Sequence, residues 1–132
     1  MEREALGLLA LARKGGNLAA GDEPVREAVN SGRAKLIVIA ADAAQNAKDR
    51  AVRTAERGNI PAIELEAQKE ILGAKLGRGT VAVAALLDGK LAEAFVRKLE
   101  REDLTEVLEL LSSRTSRAQR RKNAPKQAAD SN

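Results

Sequence analysis

The chain has 132 residues, with 23 Lys and Arg against 19 Asp and Glu, and a formal net charge of +4 at pH 7. That length fits one domain with a tail. Cys and His are both absent, which excludes disulfides, thiol nucleophiles, Cys/His zinc sites and Ser-His or Cys-His catalysis. Phe95 is the one aromatic residue, so the stacking platforms that many single-stranded RNA binders use are missing, and any nucleic-acid binding has to rest on backbone and charge. No apolar run approaches the ~20 residues that span a bilayer, and the N-terminus carries no signal-peptide pattern. A cytoplasmic protein with no membrane partner is therefore expected, and the basic excess favours anionic partners.

Residues 1–14 place Ala5, Leu8, Leu9 and Ala12 on one helical stripe, and Gly15-Gly16 breaks the helix they predict. Residues 17–20 read as a short strand. Gly21-Asp22-Glu23-Pro24 opens a second helix, with Pro in the first turn where its missing N–H does no harm, and Gly32 closes it. The run from Lys35 to Ala41 is β-branched and continuous, the pattern of a central strand covered on both faces. Asp42-Ala-Ala-Gln45 reads as a capping box for a helix that stops at Gly58. A short strand over 60–65, a helix over 67–76, the Gly77-Arg78-Gly79 turn and a second buried strand over 80–87 follow. Asp88 then caps a helix carrying Leu91, Ala94, Phe95 and Leu99. The alternation predicts an α/β fold over residues 1–99, a three-layer α/β/α sandwich around a mixed four-stranded sheet.

An additional helix is expected over 100–112, where Asp103 and Glu106 suggest another capping box. Its stripe of Leu104, Val107, Leu108 and Leu111 either folds back on the core or docks a protein partner. Residues 113–132 read as a basic, mobile tail, because Arg114, Arg117, Arg120, Arg121, Lys122 and Lys126 follow with no acid before Asp130. Each of these side chains is able to neutralise a phosphate.

Gly15-Gly16 and Gly21 bracket a loop that presents the N-terminus of the second helix, where free N–H groups and the helix dipole favour an anion. The same spacing also suits a plain turn with positive φ, and it matches neither GxGxxG nor a Walker loop. Asp22, Glu23, Glu27, Asp42 and Asp49 fit capping or solvated positions better than metal or acid–base pairs. Lys48, Arg50, Arg53 and Arg57 read as a solvated face. No catalytic residue, metal or cofactor is expected.

The residues Leu11-Ala-Arg-Lys-Gly-Gly-Asn-Leu-Ala-Ala-Gly21, Ser31-Gly-Arg-Ala-Lys-Leu-Ile-Val-Ile-Ala40, Asn59-Ile-Pro61, Leu72-Gly73 and Val81-Ala-Val-Ala84 together resemble one family. It is the kink-turn RNA-binding superfamily of ribosomal proteins, of L-seven-Ae and L-thirty-e type, in its short bacterial YlxQ-type branch. The resemblance covers roughly residues 4–99 and implies the same sandwich. It also implies RNA contacts from the start of the second helix, the loop after the central strand and the loop before the last strand. The family's helix motif, Gly-x-Asn-Glu-x-x-Lys, falls on Gly21 to Glu27, where Gly21 matches and Glu27 stands in place of the phosphate-holding lysine. A further family glutamate falls at Ala41.

These readings combine into a non-enzymatic protein that binds structured or ribosomal RNA, linked to translation or transcription termination. The expected RNA contacts are Lys14, Asn17, Gly21, Asp22, Glu23 and Arg26 on one loop-helix unit, Arg33 and Lys35 nearby, and Arg78, Gly79 and Thr80 on the other side. Arg114, Arg117, Arg120, Arg121 and Lys122 add phosphate contacts from the tail. The alternative is a protein-interaction module that docks on the transcription or translation machinery through the leucine stripe. The fold is also similar to the small substrate-recruiting domain of SpoU-type RNA methyltransferases, but a cofactor-binding domain has no room in this length.

Overall fold

The two continuous apolar runs become the inner strands of the sheet. In the computed structural model, which describes residues 2–122, β2 (Leu36–Ile39) and β4 (Val83–Leu86) are buried at every position and pair antiparallel. β3 (Ala62–Glu64) lies parallel to β2 on one edge, and β1 (Leu18–Ala20) antiparallel to β4 on the other, giving the order β1-β4-β2-β3. Three strands therefore point one way and β4 the other.

Strand alternation divides the core in two. Leu36, Val38, Ala84 and Leu86 face a layer holding α1 (Glu2–Lys14), α4 (Lys69–Lys75) and α5 (Gly89–Leu99), centred on Phe95, Leu9, Leu72 and Leu76. Ile37, Ile39, Val83 and Ala85 face α2 (Asp22–Asn30) and α3 (Gln45–Gly58) through Val25, Ala28, Ala51 and Ala55. Alanines on this second face let the helix backbones sit close to the sheet. Burying each Leu, Ile, Val or Phe contributes about 1.5–3 kcal/mol.

Several end signals are used differently from their sequence reading. Asp42 caps no part of α3, which starts at Gln45 behind Ala44 with no side-chain cap. Its Oδ1 instead accepts the Lys69 amide at 2.7 Å, the first N–H of α4, which lies beside it only in the folded chain. Glu2 acts the same way, its two carboxylate oxygens accepting the amides of Glu66 and Ala67 at 2.9 and 2.6 Å. Asp22 is likewise no cap, since the N-cap of α2 is Gly21. Asp88 does cap α5, accepting the Leu91 amide at 2.9 Å.

The C-terminal segment differs most. Residues 102–104 form a single 3-10 turn, and α6 (Thr105–Lys122) continues far beyond the expected end at 112. No Gly or Pro interrupts 105–122, and Ala, Gln and Arg are good helix formers, so helix propensity carries on where the apolar stripe stops. Arg114, Arg117, Arg120, Arg121 and Lys122 are thus helical residues rather than a mobile tail, while Lys126 and the rest of 123–132 lie outside the described residues. Leu104 and Leu111 are buried in the main core, with Val107 and Leu108 packed against it. The stripe that was a candidate docking face is consumed internally.

Asp103 forms no capping box. It receives two hydrogen bonds from the Arg101 guanidinium, at 3.0 and 2.7 Å, and Arg101 also donates to the Glu64 carbonyl at 2.6 Å, tying the α5–α6 link to the end of β3. The Arg101 hydrogen bonds hold the Asp103 carboxyl below its ordinary range. A folded value below the unfolded one stabilises above the ordinary aspartate range and loses that contribution as the pH falls through the folded value. Asp103→Asn is therefore expected to lower the melting temperature at neutral pH, with the gap to wild type closing in acid melts.

Gly73 supports the loop before β4, because a Cβ there would fall on the backbone of Gly79 and Thr80. Gly73→Ala is expected to destabilise by about 1–3 kcal/mol, read as a lower midpoint in urea unfolding with an unchanged slope.

Candidate nucleic-acid interface

Strand direction sorts every loop to one of two ends. At the first end lie the carboxyl ends of β1, β2 and β3 and the start of β4, and hence the entry to α2 and the loops 40–44, 65–68 and 79–82. At the second end lie the loops 15–17, 31–35, 59–61 and 87–88.

Gly21 organises the first end. Its φ of 103° and ψ of 160° belong to a region that only glycine enters without strain. In that conformation its N–H donates to the Val83 carbonyl at 2.9 Å and its own carbonyl accepts the Val25 amide at 3.1 Å, so one residue ends β1 and starts α2. Arg78 reaches across to donate to the Ala20 carbonyl at 2.9 Å, which sets the 78–80 segment beside Gly21. Gly79 and Thr80 are exposed next to it. The loop after β2 is held by the Ala40 amide on the Ala82 carbonyl, 2.8 Å, and the Ala41 amide on the Ala67 carbonyl, 2.9 Å.

The charges at this end are largely mutually satisfied. Arg26 bonds Glu23 at 2.7 Å and pairs with Asp22 at 3.7 Å, and Arg50 approaches the same Asp22 at 3.4 Å. Lys48 pairs with Glu64 at 3.0 Å. Glu27 is exposed one turn beyond Glu23. Exposed pairs of this kind contribute about 0–1 kcal/mol each, so they exchange readily for a ligand's charges.

The fold regroups the residues singled out from the sequence. Gly21, Asp22, Glu23, Arg26, Arg78, Gly79 and Thr80 come together, whereas the sequence reading set Arg78 to Thr80 on the other side. Lys14, Asn17, Arg33 and Lys35 belong to the second end instead: the Asn17 carbonyl accepts the Leu87 amide, and the Lys35 amide donates to Leu86. Arg33 donates to the Ser31 hydroxyl at 3.0 Å. Beside Lys35, the C-terminal half of α6 forms a groove of 560 Å³ with the loops of the second end, and Arg114, Arg117, Arg121 and Lys122 line it. Arg120 is exposed elsewhere on the helix. Arg50, read from the sequence as part of a solvated face, acts on Asp22, and sequence reasoning passed over Gly89, Lys90 and Thr115, which line the groove. Nothing in their local sequence marks them, because each is placed by a different element.

A small three-layer sandwich of ribosomal-protein type, with a loop-built surface where α2 begins, is the class these features define. The chain belongs to the ribosomal protein L7Ae/L30e/S12e/Gadd45 family, whose model matches residues 3–95. Among solved structures, a protein of unknown function from Bacillus halodurans C is similar at 24% identity and a TM-score of 0.68, over 74% of this chain and 97% of that one. The 15.5kD RNA binding protein of Giardia lamblia is similar at 24% identity and a TM-score of 0.59, over 72% of this chain and 83% of that one. No curated protein matches the chain. No described helix is long and apolar enough to cross a membrane.

Gly21→Ala tests the organising role of this residue. A Cβ at Gly21 has room, its nearest neighbour being Pro24 Cδ at 3.6 Å, so the expected loss of about 1–3 kcal/mol is backbone strain and should appear in chemical denaturation without loss of helix content.

Proposed function

We propose that this protein is a non-catalytic RNA-binding protein of the cytoplasm, of the bacterial YlxQ-type branch, that docks structured or ribosomal RNA on the end of the sheet where α2 begins. The observation that carries this reading is the Gly21 junction with Arg78 beside it, in a chain of the L7Ae/L30e/S12e/Gadd45 family. The junction presents first-turn amides of α2 that no intrahelical bond can satisfy. Asp22 and Glu23 add carboxylates able to accept from base amino groups. Arg26, Arg50 and Arg78 supply cations that turn from neighbouring carboxylates or carbonyls to phosphate. The named activity of the Giardia protein supports the same reading, and a link to translation or transcription termination is part of the same proposal.

A gel-shift series decides it. A kink-turn duplex, the same duplex without its G·A pairs, and plain double-stranded RNA are titrated in parallel over a range of salt. Binding is expected at low salt and should weaken steeply as salt rises, because phosphate contacts release counterions. No binding at low salt overturns the reading. Glu27→Lys removes a repulsive charge at an exposed helical position and should tighten the kink-turn complex by on the order of threefold, the scale of one exposed charge pair. Unchanged affinity for every RNA, in a variant shown to be folded, would move the interface away from α2.

A further inference from the structure

The second end of the sheet carries the opposite electrostatics. Its groove is lined by Lys35, Lys90, Arg114, Arg117, Arg121 and Lys122, while Asp88 is the one carboxylate along its walls. That carboxylate is already engaged, accepting the Leu91 amide as the cap of α5. None of these cations is in an ion pair with a described carboxylate, whereas Arg26, Lys48 and Arg50 at the first end all are.

The groove is built from parts distant in sequence. One wall is α6, held in place by Leu104 and Leu111 in the main core. The other is the start of α5 with the loops that lead into β2 and β3. On the α6 wall, Arg114, Arg117 and Arg121 recur on one helical face and spread over ~10 Å of its axis. Between α6 and the start of α5 the Thr115 hydroxyl is buried with no hydrogen-bond partner. It lies against Gly89, whose added Cβ would sit 3.3 Å from Thr115 Oγ1. A buried hydroxyl left without a partner costs free energy, and this one marks where α6 packs closely on the start of α5. Arg117 donates to the neutral Ser113 hydroxyl at 3.3 Å, so the groove's cations are gathered without a carboxylate partner among the described residues.

We propose that this groove is a second RNA site, distinct from the face at α2, which takes the phosphodiester backbone without reading bases. The proposal rests on the RNA-binding reading above but not on the α2 surface, since α6 lies beyond the 3–95 span that the family model matches. A row of arginines that long suits a chain of phosphates better than one free anion, and Arg pairs bidentately with phosphate oxygens. Lys35 and Lys90 on one wall and the α6 arginines on the other track successive phosphates along the groove.

The test uses the full chain and a plain RNA duplex without a kink-turn, read by affinity and by lysine acetylation footprinting. Arg114→Gln with Arg117→Gln and Arg121→Gln should weaken duplex binding by about tenfold or more and flatten the dependence of log K on log salt by about 2–3. Lys35→Gln with Lys90→Gln, on the opposite wall, should weaken the same binding by roughly fivefold while leaving α6 untouched. A charge-matched control, Arg3→Gln with Lys75→Gln and Arg97→Gln, should change affinity by less than about twofold. Duplex should protect Lys35, Lys90 and Lys122 from acetylation and leave Lys75 reactive. Equal losses in the control, or displacement of the duplex by polyglutamate as readily as by RNA, would reduce the groove to unspecific charge and overturn the proposal. Duplex binding that persists in both groove variants, with Lys48 and Lys69 protected instead, overturns the groove but leaves RNA binding at α2 intact. Absence of all RNA binding at low salt overturns both.

Discussion

The antiparallel pairing of β4 with β2 is the constraint on which the rest depends. Both strands are buried on two faces, so their register is set by two independent packing layers at once. A slip of one residue would exchange Leu36 and Val38 with Ile37 and Ile39 and bring large side chains against the wrong helices. With the register fixed, β4 runs against its three companions, and its beginning lies among their carboxyl ends. That reversal brings the loop before β4 next to Gly21 and the loop after β2, which no local feature of either segment requires.

The two ends differ in how their charges are arranged. At the α2 end, acids and bases are interleaved and paired, with Gly21 fixing the geometry of the junction. At the α6 end, cations stand without carboxylate partners around a helix start and a buried hydroxyl. Surface charge pairs are cheap to rearrange, whereas a cluster of like charges gains from an anion. A net charge of +4 conceals this separation, since the excess is concentrated rather than spread.

Long-range caps tie the layers together. Glu2 at the start of α1 and Asp42 after β2 both serve the amides around the start of α4, and Arg101 holds the end of β3. Each replaces water at a backbone group that would otherwise lie exposed at a helix or strand end. α4 is only 7 residues long, too short to persist by its own propensity, and it depends on these borrowed partners and on Leu72 and Leu76 in the core.

The sequence by itself determined the element order, the two buried strands, the fold class and the cap at Asp88. Those features follow from periodicity, β-branched runs and Gly or Pro punctuation, all of which act within a few residues. It also carried the glycine at 21 and the reading of a positive-φ turn, while the bond from the Gly21 amide to Val83 belongs to the folded chain. What only the tertiary structure decided is which loops share an end, which acid caps which helix, and where the basic residues gather. Asp42 carries a local capping pattern, yet its carboxylate bonds the Lys69 amide that the folded chain brings beside it, while Asp103 spends its carboxylate on Arg101, two residues away. α6 passed its expected end because helix propensity outlasts an apolar stripe, and its arginines acquired a groove only when Leu104 and Leu111 packed it beside α5. Strand direction, a property of the whole sheet, separated Lys14, Asn17, Arg33 and Lys35 from Gly21 and joined Arg78 to it. No window of sequence contains that information, because it depends on the pairing of segments some fifty residues apart.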